Sequence, residues 1–152
     1  MSRHDLMPAD TQNETPEHRA RRIVDQMMAR DAFSQWLGIE VLTVAPGRAV
    51  VRMTVRPEML NGFAVAHGGI AFALADSALA FASNTCGSVT MTLESSVFFA
   101  TPVRAGDVLT ATAEEVSAGN RVALYDVVVT RADGTRVAFV RGTVYRTKQA
   151  HA

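Results

Sequence analysis

The sequence predicts an α+β domain in which a mainly antiparallel sheet of about six strands wraps around one long helix. Residues 67–86, HGGIAFALADSALAFASNTC, form a helix that is apolar on almost every side. The chain after this segment consists of runs rich in Val, Thr and aromatic residues, separated by turn signals. An apolar helix must be covered, and strands joined by short turns pair antiparallel. The helix and the strands are therefore expected to share one hydrophobic core.

The total length of 152 residues is normal for a single domain. Residues 1–16 are polar and are expected to form a flexible tail, which leaves residues 17–148 as the folded domain. Residues 17–30 carry apolar side chains at helical spacing, and a second short apolar run ends at Gly38. One or two short helices are therefore expected at the start of the domain.

Two strands are expected before the long helix and four after it. Residues 39–44 and 49–55 read as a hairpin around Pro46-Gly47. Asn61-Gly62 opens a loop that leads into the helix, which is expected over about residues 67–85 and is stopped by Gly87. The strands expected after the helix cover residues 89–99, 108–116, 122–131 and 137–145.

Charge and composition exclude several classes of function. Fifteen basic and fifteen acidic residues balance, so nucleic acid is not expected as a partner. Residues 68–82 are too short for a membrane span and would place Asp76 at its centre. The single cysteine, Cys86, fits a reducing cytoplasm. The four histidines include no H-x-x-x-H pair and no G-x-S-x-G motif is present, so neither a metal nor another cofactor nor a serine triad is expected.

The strongest functional candidate is Asp76, a carboxylate in the middle of the apolar helix. A carboxylate in such surroundings loses hydration, so it must be paired, be protonated or perform chemistry. At the start of the same helix, His67, Gly68 and Gly69 place unpaired backbone N–H groups where a carbonyl oxygen can approach closely. Such a helix start is suited to an oxyanion hole, although two glycines equally fit tight packing of the helix start.

The spacing of His67 and Asp76 predicts a dimer. Nine positions apart on a helix, the two side chains project from opposite sides and lie about 13.5 Å apart along the axis. If both act on one substrate, the helix start of one subunit must face Asp76 of another. A two-fold dimer with two equivalent sites at its interface is therefore expected.

These segments resemble the hotdog-fold acyl-CoA thioesterases of the phenylacetyl-CoA (PaaI-like) branch. The resemblance covers about residues 33–147 and rests on the following stretches: HGGIAFALADSALAFASNT after Asn61, then VTMTLESSVFFATPVRAGDVLTA, then GNRVALYDVVV. It implies a long helix wrapped by an antiparallel sheet, a coenzyme A thioester as substrate, a place in phenylacetate degradation, and a homodimer that associates further into a tetramer.

The same resemblance implies the roles of individual residues. Asp76 would be the nucleophile or the general base for water, and the Gly68 N–H of the partner subunit would polarise the thioester carbonyl. Asn61 would lie near the attacking group, His67 would lie beside the carbonyl or the sulfur, and Thr92 would orient water.

Three further residues are implied in substrate binding. Gly69 would assist at the helix start, and the turn carrying Asn120 and Arg121 would lie near the nucleotide end of coenzyme A. Purely structural roles for Asn61, Asn120 and Thr92 remain as alternatives, since Asn-Gly and Gly-Asn pairs are common in turns and threonine is common in strands. Ser77 would satisfy a backbone carbonyl of its own helix.

Two other functions in the same fold remain as alternatives. One is a non-catalytic acyl-CoA-binding protein, and the other is a hydratase acting on enoyl thioesters, which generally pairs histidine and an acid in another motif. The sequence does not show which acyl group is preferred. Its pocket walls are expected among four aromatic residues, Phe63, Phe81, Phe98 and Phe99.

Overall fold

The computed structural model describes residues 14–152. The helices are α1 (Pro16–Arg30), α2 (Ala32–Leu37) and α3 (Gly68–Asn84), and one turn of 3₁₀ helix covers Pro57–Met59. The strands are β1 (Glu40–Ala45), β2 (Arg48–Thr54), β3 (Ser88–Phe99), β4 (Val108–Ala118), β5 (Val122–Arg131) and β6 (Arg136–Ala150). The α+β class, the long helix and the six strands are confirmed, with small shifts at element ends.

All six strands form one sheet in the order β1-β2-β4-β5-β6-β3, and every neighbouring pair is antiparallel. The strand that follows α3 in sequence therefore pairs with the last strand of the chain and lies at the edge of the sheet. Helix α3 lies across the inner face, where it contacts β2, β3, β4, β5 and β6.

Small residues allow α3 to approach the sheet closely. A Cβ atom placed on Gly142 of β6 would lie 2.6 Å from Cδ2 of Leu79, which is fully buried. The sheet-facing side of α3 is apolar and buried; it comprises Ala71, Leu74, Ala75, Ala78, Leu79 and Ala82. Position 142 thus has room for glycine alone at the present helix-to-sheet distance.

One side of α3 is not covered. Gly69 is exposed, and Phe72, Ala73, Asp76 and Ala80 are half-buried. These positions follow the i, i+3, i+4, i+7 and i+11 spacing of one helix face. The sheet therefore wraps α3 on one side only, in contrast to the sequence expectation of a helix covered all round, and Asp76 belongs to the uncovered stripe.

The edge strand β3 carries large apolar side chains in contact with solvent. Met91 is 63 %, Leu93 61 % and Phe98 66 % exposed. Thr90, by contrast, faces α3, since its hydroxyl lies 2.8 Å from Ser83 Oγ. A long edge strand with exposed apolar residues and free backbone groups is suited to pairing with another strand.

Both ends of the domain extend further than expected. Residues 1–13 of the expected tail lie outside the described residues. The last residues of that expected tail contact α1: Glu14 forms an ion pair with Arg22 at 2.8 Å, and Thr15 caps α1 by accepting the His18 N–H. At the other end β6 continues to Ala150, past the predicted strand end at residue 145. Among residues 14–152, no helix has the length and apolarity needed to cross a membrane.

Candidate active site

The start of α3 presents a backbone N–H group that is free to bind a ligand. His67 is the N-cap residue: its Nδ1 accepts the Gly69 N–H at 3.2 Å and its carbonyl accepts the Ile70 N–H at 2.9 Å. The Gly68 N–H has no hydrogen-bond partner among residues 14–152. The positive end of the helix dipole adds to its donor strength. The structure thus shows a capping role for His67, and its direct role in catalysis stays a prediction.

An apolar pocket of about 260 Å³ lies beside this N–H. Its walls include His67, Gly68, Phe99, Pro102, Val103 and Val137. The Phe99 ring lies directly over Gly68, where a Cβ atom would come within 3.0 Å of Phe99 Cζ. A side chain at position 68 would therefore require the half-exposed Phe99 ring to shift by a few tenths of an ångström.

Of the four aromatic residues expected to form pocket walls, Phe99 lines this pocket and the others do not. Phe81 belongs to the core, Phe63 is almost fully exposed in the loop before α3, and Phe98 lies on the outer face of the sheet beside Phe139. The alternation of side chains along β3 explains why neighbouring phenylalanines face opposite sides.

Asp76 lies half-buried on the uncovered stripe of α3. Its carboxylate forms no hydrogen bond or ion pair with any residue in the described range 14–152. Burial raises the pKa of Asp76 above the ordinary aspartate value, and the negative charge of Asp31 raises it further. The carboxylate is thus a stronger base than an exposed aspartate and is free to act on a ligand.

A single chain does not bring Asp76 to the Gly68 N–H. They are eight positions apart on one continuous helix, about 12 Å along the axis. The groups that the sequence assigns to one reaction are therefore split between the start and the middle of α3.

Thr92 and Asn61 lie at opposite ends of the site region. Thr92 follows Thr90 by two positions on β3, so its side chain is on the face that covers α3, towards the C-terminal half of that helix. Asn61 lies at the beginning of the loop before α3, and its Oδ1 accepts the Phe63 N–H at 2.9 Å. This contact is typical of a turn residue, the simpler explanation that the sequence analysis gives for Asn61. It leaves the side-chain amide nitrogen of Asn61 available to a ligand.

The turn between β4 and β5 lies far from the start of α3 in the same chain. Its Arg121 carbonyl accepts the Arg146 N–H at 2.7 Å, and Arg146 pairs with Thr90 at the beginning of β3. Asn120 is exposed and Arg121 is half-buried. Both residues therefore belong to the end of the sheet where Thr92 lies.

Sequence reasoning missed a polar connection between α2 and α3. Ser34 and Ser77 are buried and their hydroxyl oxygens lie 2.8 Å apart. Ser77 therefore binds another side chain, which corrects the expectation that it satisfies a carbonyl of its own helix. The Asp-x-x-Ser sequence that starts at position 31 is a recognisable capping signal, but the neighbouring residues do not indicate that Ser34 contacts α3.

No cluster of three or more histidine, cysteine, aspartate or glutamate side chains is placed to hold a metal ion within residues 14–152. The candidate groups are one basic carboxylate in the middle of α3 and, at the start of α3, one free backbone donor beside an apolar pocket. This combination suits nucleophilic or general-base attack on a carbonyl whose oxygen is held at the helix start.

Comparison with known proteins identifies the family. The family model "Thioesterase superfamily" matches residues 63–138, half of the chain. The chain belongs to the thioesterase superfamily. It is 38 % identical over 129 residues to the acyl-coenzyme A thioesterase PaaI of Escherichia coli, covering 85 % of this chain and 92 % of that protein.

Solved structures agree with the sequence comparison. The structure of E. coli PaaI matches with a TM-score of 0.88 at 36 % identity, covering 90 % of this chain and 99 % of that one. A hypothetical thioesterase protein from Streptococcus pneumoniae, solved with coenzyme A, matches with a TM-score of 0.77 at 29 % identity, covering 83 % of this chain and 98 % of that one. The expected hotdog fold, the PaaI-like family and the assignment as a thioester hydrolase are confirmed.

Proposed function

We propose that the protein hydrolyses an acyl- or aryl-coenzyme A thioester, of the phenylacetyl-CoA kind, at sites shared between two subunits. The observation that carries the proposal is the free Gly68 N–H at the positive end of α3, opening beside an apolar pocket. An acyl group fits the pocket while the carbonyl oxygen accepts the Gly68 N–H. The likeness to PaaI and to a thioesterase solved with coenzyme A supports this substrate class.

Asp76 of the other subunit supplies the attack. As general base it takes a proton from water, whose oxygen then bonds to the carbonyl carbon as the carbon–sulfur bond breaks. As nucleophile it bonds to that carbon itself, and water hydrolyses the resulting anhydride. Both routes release the free acid and the thiol of coenzyme A. Thr92 orients the water, and Asn61 lies near the attacking group and His67 beside the thioester.

The edge strand β3 supports the dimer. If β3 pairs antiparallel with β3 of a second copy about a two-fold axis, the beginning of one strand lies beside the end of the other. Thr92 of one subunit then approaches Phe99 and Gly68 of its partner. The same pairing buries Met91 and Leu93 and brings the turn with Asn120 and Arg121 towards the partner's site, where Arg121 binds a phosphate of coenzyme A.

A second apolar surface supports the association of two dimers. It lies on the outer face of the sheet, includes Phe98, Val128 and Phe139, and forms a depression of about 450 Å³. The exposure of aromatic residues there is typical of a surface that another protein covers. The single cysteine supports a cytoplasmic location for the reaction.

The function is tested by the release of free thiol from a panel of acyl-CoA thioesters of graded size. Asp76→Asn and Asp76→Ala are expected to lower kcat by about 10²–10⁴-fold, because they remove the attacking carboxylate. Asp25→Asn is the control, since Asp25 is an exposed helical aspartate paired with Arg21. Full activity in either Asp76 variant would refute the assignment, and no release from any thioester would favour the binding protein.

The oxyanion donor is tested with two substitutions at one position. Gly68 is the first residue of α3, where proline is tolerated, so Gly68→Pro removes the N–H while the helix is kept. Gly68→Ala introduces similar crowding against Phe99 but keeps the N–H, and is the matched control. We expect Gly68→Pro to have a kcat about 10²–10³-fold below that of Gly68→Ala. Equal rates would exclude this N–H as the donor.

The shared site is tested by mixing two inactive variants, Asp76→Asn and Gly68→Pro. Each hybrid dimer has one site with both defects and one site with neither. After random reassociation of equal amounts, about a quarter of wild-type activity is expected to return. No recovery, with hybrids demonstrated by native mass spectrometry, would show that each site lies within one chain.

A further inference from the structure

The region around Ser34, between α1 and α3, contains a chain of polar groups that runs from the half-buried Asp31 to the buried Ser77, the neighbour of Asp76 in sequence. Asp31 caps α2: its Oδ1 accepts the Ser34 N–H at 2.9 Å and its Oδ2 accepts the Ser34 hydroxyl at 2.5 Å. The Ser34 hydroxyl oxygen lies 2.8 Å from that of Ser77, the residue that directly follows Asp76.

The direction of these hydrogen bonds follows from the charge of Asp31. An ionised carboxylate only accepts, so the single proton of Ser34 is given to Asp31. Ser34 Oγ must then accept from Ser77, whose hydroxyl donates. The hydrogen bonds therefore run in one direction, from Ser77 of α3 through Ser34 to Asp31. Both hydroxyl groups are buried, and each has a hydrogen-bond partner.

We propose that Asp31 is a positioning residue for the thioesterase reaction: hydrogen-bonded to Ser34, which in turn contacts Ser77, it fixes a negative charge beside the turn of α3 that carries Asp76. This inference rests on the proposed role of Asp76. Asp31 needs no contact with the substrate, because it acts on Asp76 through space in a partly desolvated region.

The charged groups nearest to Asp31 and α2 are cations or are paired: Arg30 directly precedes Asp31, and Arg56 donates to the Trp36 and Leu37 carbonyls of α2 and pairs with Glu58. Helix α2 has no charged residue, and the side of α1 that packs inwards is apolar, with Ala20, Ile23 and Val24 buried. Several charged residues of the strands pair with one another, as in Arg48–Glu114, Arg141–Asp126 and Arg146–Glu115, and Glu94 of β3 accepts the Thr143 hydroxyl. Beyond burial, the charge of Asp31 is what raises the pKa of Asp76.

The sign of the effect is fixed. Attack requires ionised Asp76, and a neighbouring negative charge favours its protonated form, so the charge of Asp31 shifts the onset of activity to higher pH. In exchange, the ionised Asp76 is a stronger base near neutral pH. Removing the charge should shift the acid limb of the pH profile of kcat/KM to lower pH and lower the plateau value of kcat.

The experiment compares pH profiles of kcat/KM for the full-length protein and four variants. Asp31→Asn and Asp31→Ser both remove the charge and retain a capping side chain, so one serves if the other fails to fold. Asp31→Glu keeps the charge and should return the acid limb towards that of wild type. Asp25→Asn removes a carboxylate elsewhere and should leave the profile unchanged.

A direct titration of Asp76 separates failure of this inference from failure of the proposed function. The carboxyl carbon of Asp76, followed by ¹³C NMR with Asp76→Asn to assign the signal, should titrate at lower pH in Asp31→Asn than in wild type. This holds even if the protein releases no thiol. Superimposable titrations and pH profiles of wild type and Asp31→Asn would overturn the inference while leaving Asp76 as the attacking group.

Discussion

The close contact between α3 and the sheet makes Gly142→Ala a strong test of the packing. The added Cβ would lie 2.6 Å from Leu79 Cδ2 and 3.3 Å from Leu79 Cδ1, whereas ordinary contacts are 3.4–4 Å. Since Leu79 is fully buried, helix and sheet must separate by about 1 Å or a rotamer must be strained. Such overpacking costs about 1–3 kcal/mol of unfolding free energy. Asp76 lies one helical turn before Leu79, so activity should fall as well.

A double-mutant cycle identifies the cause. Leu79→Ala alone should cost about 2–5 kcal/mol because it leaves a cavity. In the double variant the methyl group at position 142 partly fills that cavity, so the combined cost should fall short of the sum by at least about 1 kcal/mol. Urea unfolding followed by circular dichroism at one fixed protein concentration measures each value.

The control for this cycle is Gly62→Ala. Gly62 has no heavy atom within 4 Å of a built Cβ and does not have a positive φ, so its unfolding free energy should stay within about 0.5 kcal/mol of wild type. Additive effects of the substitutions at positions 79 and 142, within about 0.5 kcal/mol, would contradict the proposed contact as the source of the destabilisation.

Three further predictions concern charge, assembly and the core. Because the folded-state pKa of Asp76 is raised, its ionisation costs stability at neutral pH, and Asp76→Asn should raise the thermal midpoint there. The difference in thermal midpoint between this variant and wild type should shrink as the pH falls through the raised pKa towards the ordinary aspartate value. Differential scanning calorimetry measures both midpoints. Leu93→Lys should give an inactive monomer in light scattering because it places a charge on the exposed edge strand, whereas Val116→Lys, at another exposed apolar position, should leave the assembly intact. Tyr125→Phe should cost roughly 1.5–3 kcal/mol in urea unfolding, because the buried hydroxyl donates to Glu115 at 2.7 Å.

Much of the candidate site could be predicted from residue types and spacing. A carboxylate in an apolar helix is conspicuous in any sequence, and the His-Gly-Gly start of the same helix fixes where its free N–H groups lie. The separation of Asp76 from that start follows from helix geometry alone. By contrast, the contact of Ser34 with Ser77 joins residues 43 positions apart, and no local pattern encodes it.

The amino-acid sequence by itself determined the elements and the chemically unusual residues of this protein, because propensity, periodicity and turn chemistry act over a few neighbouring residues. The strand β5 was predicted with the bounds that the structure shows. The tertiary structure alone decided that β3 lies at the edge of the sheet beside β6, that Phe99 covers Gly68, and that one stripe of α3 stays uncovered. Those features depend on which distant surfaces fit and bury one another, and that choice is made by the whole chain at once.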